Sequence, residues 1–115
     1  MDVETRVEGD ITVVRLCDAR LDAAAAVRFK EQLRDVSDGG ADKILIDMSE
    51  VVFMDSSGLG AVVTVMKLMG QKKSLMLASL TPAVAKVFAL TRMDKVFRMF
   101  DSVEDALQDG MKVAG

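Results

Sequence analysis

The chain has 115 residues, half of them apolar, and a net charge of −3 from 15 Lys and Arg against 18 Asp and Glu. That length matches one ordinary domain, and about two thirds of the unfolded surface is expected to be buried on folding. There is no His, no Trp and no Tyr, and Cys17 is the single cysteine. These absences remove the commonest general base, the commonest zinc ligand, any internal disulfide and the stacking aromatics of a base reader.

Charge argues against a nucleic-acid partner as well, because the densest basic spot is the pair Lys72-Lys73. The start, Met1-Asp2-Val3-Glu4, is acidic and does not read as a signal peptide. The longest apolar stretch, Ala61 to Met69, is broken by Thr64 and Lys67 and is too short to span a bilayer. A cytoplasmic protein without direct membrane contact is expected.

In chain order, Val3 to Glu8 and the β-branched run Ile11 to Leu16 flank Gly9-Asp10, which predicts an opening hairpin. Cys17 closes the second run and is expected to behave as a small buried apolar residue. Asp22 stands where an N-cap belongs, before a stripe of Ala25, Phe29, Leu33 and Val36. Asp38-Gly39-Gly40 ends that helix. Lys43 to Met48 is a continuous apolar run, the pattern of a strand covered on both faces.

A loop from Ser49 to Asp55 leads to a helix over about Ser57 to Met69, with Leu59, Val62, Val63, Met66 and Met69 as its inward stripe and Gly70 as its stop. Ser74 to Ala78 repeats the covered-strand pattern. Thr81-Pro82 opens a third helix, Thr81 as cap and Pro82 in the first turn, with Val84, Val87 and Phe88 facing inward. Val96 to Phe100 is the last predicted strand. A final helix comes after Asp101, with Ser102 and Asp105 near a capping arrangement and Val103, Ala106, Leu107 and Met111 inward. The nine methionines are scattered through these elements and read as core filler rather than a docking groove. The order ββαβαβαβα predicts an α/β fold: a mixed sheet, mainly parallel, with one antiparallel hairpin.

Chemistry concentrates in Val51-Val52-Phe53-Met54-Asp55-Ser56-Ser57-Gly58-Leu59-Gly60. A covered strand ends, a loop comes next, and Asp-Ser-Ser-Gly runs into a helix. Loops at the carboxyl ends of strands are where α/β sheets meet ligands and partners. Asp-Ser-Ser-Gly is also ordinary capping chemistry. A phosphate on Ser56 would lie at the positive end of the helix, where it is tolerated, and would add about −1.5 to −2 charges beside Asp55. Gly58 and Gly60 take bulk out of the first turn and are expected to leave the backbone open to a partner. Val52-Phe53-Met54 would either pin the loop to the core or protrude for docking.

The segment Val51 to Gly60 resembles the signature of the STAS domain family, specifically its bacterial anti-sigma factor antagonists. The likeness extends to the opening hairpin, Leu21-Asp22, Lys43 to Met48, and Thr81-Pro82-Ala83-Val84. The resemblance implies one STAS-like domain over residues 1–115, monomeric as the family often is. It implies that Ser56 is the site phosphorylated by an anti-sigma factor serine kinase and reset by a serine phosphatase. The unphosphorylated form would bind the kinase and release a sigma factor, a partner-switching role in transcription regulation. The partner-binding residues it implies are Asp22, Met54, Asp55, Ser56, Ser57, Gly58 and Leu59, with no cofactor. The turn Asp18-Ala19-Arg20-Leu21-Asp22 departs from the family's Gly-x-Leu-Asp by Ala19 and an apparent extra residue.

Three other readings compete. A STAS adapter subunit of a lipid-transport or signalling complex would never cycle through phosphate. Asp47, ending a covered strand, could accept phosphate as receiver domains do, but no acidic pair stands after the first strands to hold Mg²⁺. An enzyme would have to activate a nucleophile such as Ser57 without His, and neither Gly-x-Gly-x-x-Gly nor a P-loop is present.

Overall fold

The computed structural model describes the backbone of residues 2–114 and the side chains of residues 2–109. Strands β1 (Val3–Glu8) and β2 (Ile11–Leu16) form an antiparallel hairpin. Gly9 takes φ +64° at the first position of its two-residue turn, a backbone that glycine adopts freely. Next come strands β3 (Arg20–Leu21), β4 (Lys43–Asp47), β5 (Phe53–Met54), β6 (Ser74–Ala78) and β7 (Arg98–Phe100). Helices are α1 (Ala23–Asp38), α2 (Ser56–Met69), α3 (Pro82–Leu90) and α4 (Val103–Ala114). The main sheet runs β1-β2-β4-β6-β7, parallel at every junction after the first hairpin. The predicted mixed α/β architecture is therefore the one the chain adopts.

The central strands bury both faces because their side chains alternate. Ile44, Ile46 and Leu77 face one core, which the apolar sides of α1, α2 and α3 complete. Leu45, Met76 and Ala78 face the other, where Ala106 on α4 covers them. A continuous apolar run is the sequence trace of that double cover.

Several local expectations shift. The α2 stripe is Gly58, Ala61, Val62, Val65 and Met69, while Leu59, Val63 and Met66 lie at its margin. On α1 the buried set is Ala26, Phe29 and Leu33, with Ala25 and Val36 half-covered. Val96 to Phe100 is not one strand. Arg92 turns left-handed at φ +61°, Met93–Lys95 make a short 3₁₀ turn, and Val96 is exposed. Phe97 instead swings onto Phe88, ring edge to face at 5.7 Å between centroids, so the strand begins at Arg98. Cys17 is half-buried rather than buried; its thiol donates to the Arg15 carbonyl, and burial, with the nearby Glu4 second, pushes its pKa up. Ser102 Oγ accepts from the Asp105 amide at 3.0 Å, as the capping pattern predicts. The expected inward position of Met111 lies outside the described side chains. Among the described residues, no helix is long and apolar enough to cross a membrane.

Candidate functional site

The chain reaches the candidate site twice, by the same route. Strands β3 and β5, two residues each, pair in parallel with Arg20 opposite Phe53 and Leu21 opposite Met54. Each strand runs straight into an aspartate that caps a helix. Asp22 sits at φ −109°, ψ −171° and accepts from the Ala25 amide at 3.1 Å. Asp55 sits at φ −104°, ψ −173° and accepts from the Gly58 amide at 2.9 Å. Continuing the strand register by one residue sets the Asp22 backbone opposite that of Asp55, at the spacing of about 5 Å usual between strands. The positive ends of α1 and α2 open together there.

Capping at Asp55 makes Ser56 the first helical residue, one position earlier than the predicted start. Ser56 and Ser57 are exposed, and no hydrogen bond among the described residues engages either hydroxyl. Leu59 is half-covered. The segment before the cap divides by alternation: Met54 is 5% exposed and joins the core, whereas Phe53 at 38% and Val52 at 57% face outward. Met54 is therefore an anchor of the loop and offers a partner no surface.

Gly58 is also inward. A methyl group there would overlap the Leu21 carbonyl oxygen, so its bareness lets α2 close onto β3. The expectation that it opens the backbone to a partner is corrected: it serves the internal packing. Gly60 does face open space.

The loop leading to the site is pinned from both sides. The Met48 amide donates to the Ala78 carbonyl, and the Val52 and Phe53 amides both donate to the Ala19 carbonyl. Thr81 occupies the N-cap position of α3, yet its hydroxyl makes no cap bond there. It donates instead to the Val51 carbonyl at 2.7 Å, tying α3 to the loop. Asp47 is engaged as well, its Oδ1 accepting from the Ser49 amide at 3.0 Å.

Arg20, which the sequence does not single out, completes the surface together with the outward Phe53. The Arg20 guanidinium lies 4.0 Å from the Phe53 ring centroid, and its Nε is 3.4 Å from Asp22 Oδ2. The Ala25 amide, and then Arg20, hold the Asp22 carboxyl below the usual carboxylate range. Residues two places before each capping aspartate share its outward face, and that was the available signal. A cleft of about 540 Å³ opens beside Arg20 and Asp22, floored by Cys17 and Ala25.

The STAS domain model matches residues 2–106. The chain belongs to the STAS domain family. A relative from Thermotoga maritima, provisionally described as an anti-sigma factor antagonist, is 26% identical over 102 residues, covering 87% of this chain and 90% of its own. An anti-sigma factor antagonist from Mycobacterium paratuberculosis shares the fold with a TM-score of 0.86 at 22% identity, over 94% of this chain and 92% of its own. The Bacillus cell fate determinant SpoIIAA, solved in its phosphorylated form, gives a TM-score of 0.69 at 25% identity, over 94% and 98%. In this STAS domain the exposed serines, both aspartate caps and the outward Phe53 gather at one end of α1 and α2.

Proposed function

We propose that the protein is an anti-sigma factor antagonist whose docking is switched at Ser56. Unphosphorylated, it binds an anti-sigma factor serine kinase, and the sigma factor held by that kinase is released. The kinase then transfers the γ-phosphoryl group of ATP to Ser56. The Oγ–P bond forms as the bond to ADP breaks, and the hydroxyl proton passes to the kinase or to water. A serine phosphatase hydrolyses the ester and restores the docking form.

The observation that carries this reading is the exposed Ser56 hydroxyl at the first position of α2, beside the Asp55 cap. A phosphate there meets the positive helix end, so the domain stays folded. It also adds about −1.5 to −2 charges next to the Asp55 carboxylate. A partner surface carrying acidic groups, which docks readily on the neutral hydroxyl, is then repelled. The names of the relatives, and a related chain solved with phosphate attached, support the same role.

The test measures binding to anti-sigma factor serine kinases by calorimetry, with and without ATP. Ser56→Ala is expected to bind as the parent does and to take up no phosphate. Ser56→Asp is expected to lose at least tenfold in affinity, about 1.4 kcal/mol. Mass mapping after incubation with ATP should place the phosphate on Ser56 and leave Ser57→Ala a normal substrate. Equal binding of the Ala and Asp variants would sink the reading.

A further inference from the structure

We infer that Arg20 is the internal receptor for the phosphate on Ser56, so that modification removes a cation from the docking surface as well as adding an anion. The inference rests on Ser56 being the modified residue and adds a second participant to it.

The geometry starts from the β3–β5 ladder. Arg20 belongs to β3, but its side chain crosses to β5, where the guanidinium lies 4.0 Å from the centre of the Phe53 ring. It also leans forward along the chain, bringing Nε to 3.4 Å from Asp22 Oδ2. The first sets it against the strand that leads into α2, and the second brings it to the cap of α1. Asp22 and Asp55 continue the ladder there, with nearly identical backbone angles. Ser56 is the next residue after Asp55.

Neither present partner holds the guanidinium strongly. The ion pair with Asp22 is long and exposed, and such pairs contribute little in water. The Phe53 ring is itself partly open to solvent. A phosphoserine dianion offers more charge and an oxygen triad that a guanidinium grips with two parallel hydrogen bonds. Asp22 does not lose its remaining support when Arg20 leaves, because the Ala25 amide still donates to it at 3.1 Å. The exchange therefore strands no partner. Its product is a surface on which Phe53 has lost its cation and the phosphate is partly neutralised from inside the domain.

The measurement uses the full chain with phosphoserine installed at position 56 during translation, so that no kinase is needed. Phosphorus NMR tracks the second ionisation of the phosphate with pH, near 6 in an unperturbed site. Arg20→Gln is expected to raise that pKa by about half a unit, because the dianion loses its cation. Lys72→Gln removes the same charge from the loop after α2 and is expected to leave the value where the parent has it. Circular dichroism checks that both variants fold. If Arg20→Gln titrates as Lys72→Gln does, Arg20 does not receive the phosphate. Failure of anti-sigma factor kinases to modify Ser56 would instead sink the switch itself and would leave this titration unaffected.

Discussion

The mouths of α1 and α2 are built alike and differ in the residues just past the cap. Each is reached from a two-residue strand of the same ladder, and each is closed by an aspartate bonded to the amide three residues on. After Asp22 come Ala23, Ala24 and Ala25; after Asp55 come Ser56, Ser57 and Gly58. The shared part is what the fold requires: a turn out of a strand and a satisfied helix end. The differing part is where chemistry enters. The first mouth contributes a cation, Arg20, and inert methyl groups. The second contributes two exposed hydroxyls, with Gly58 turned inward onto Leu21.

The sharpest way to break the likeness is to exchange the third residue after each cap. Gly58→Ala places a methyl group on the Leu21 carbonyl oxygen, and backbone on both sides resists moving. A loss of about 3 kcal/mol in urea unfolding is expected, at the upper end for overpacking. At the other mouth, Ala25→Gly costs about 1 kcal/mol from helix propensity, and the half-covered methyl it removes adds little. Gly60→Ala, one turn beyond the cap and facing open space, should run the other way and stabilise by up to about 1 kcal/mol. A neutral Gly58→Ala would mean that α2 does not approach β3 so closely.

Removing the second cap is the next largest change. Asp55→Ala frees the Gly58 amide and is expected to cost about 1 kcal/mol. Asp55→Asn keeps an acceptor and should cost a few tenths. Phosphorylation of Ser56 should slow in the alanine variant, because the first turn that presents the hydroxyl frays. Kinase assays alongside urea titrations check both halves. A similar loss, about 1 kcal/mol, is expected for Thr81→Val, which keeps shape but leaves the Val51 carbonyl without its donor. Thr81→Ser restores the bond. Faster amide exchange at Val52 and Phe53 in the valine variant, reversed in the serine one, would show that the loop is held from α3.

The sequence announces the two mouths unequally. Long apolar runs such as Lys43 to Met48 reveal their strands because both faces are buried, and Asp22 and Gly39 bound α1 by local chemistry. The ladder that aligns the mouths is nearly silent. Two residues make no period, and Arg20 finds Phe53 from a distant part of the chain, so nothing local specifies the pairing. For the same reason the fate of Val52-Phe53-Met54 stays open until the pairing fixes which residues turn out. The role of Gly58 is misread from sequence because absent bulk looks the same there whether it admits a partner or a neighbouring strand. Thr81 stands at its expected position, but its hydroxyl chooses a carbonyl that only the tertiary fold supplies.

The smallest expected effect concerns acid, and it separates the two supports of the first cap. The Asp22 carboxyl is held below its ordinary range by the Ala25 amide first and by Arg20 second. A depressed folded pKa means the ionised form is favoured by folding, so its contribution is complete above the unfolded value. It is lost as pH falls through the folded value, below about 4. Asp22→Asn keeps an oxygen that accepts from Ala25, so it should match the parent in acid and fall slightly below it at neutral pH, where only the parent carboxylate is ionised. It should flatten the acid limb of the urea midpoint, measured between about pH 5 and pH 3. Arg20→Gln should flatten it less, because the larger cause remains. Were Arg20→Gln to flatten the limb as fully as Asp22→Asn, the ion pair would be stronger than its exposure allows. Arg20 would then be too firmly held at the first mouth to cross to a phosphate at the second.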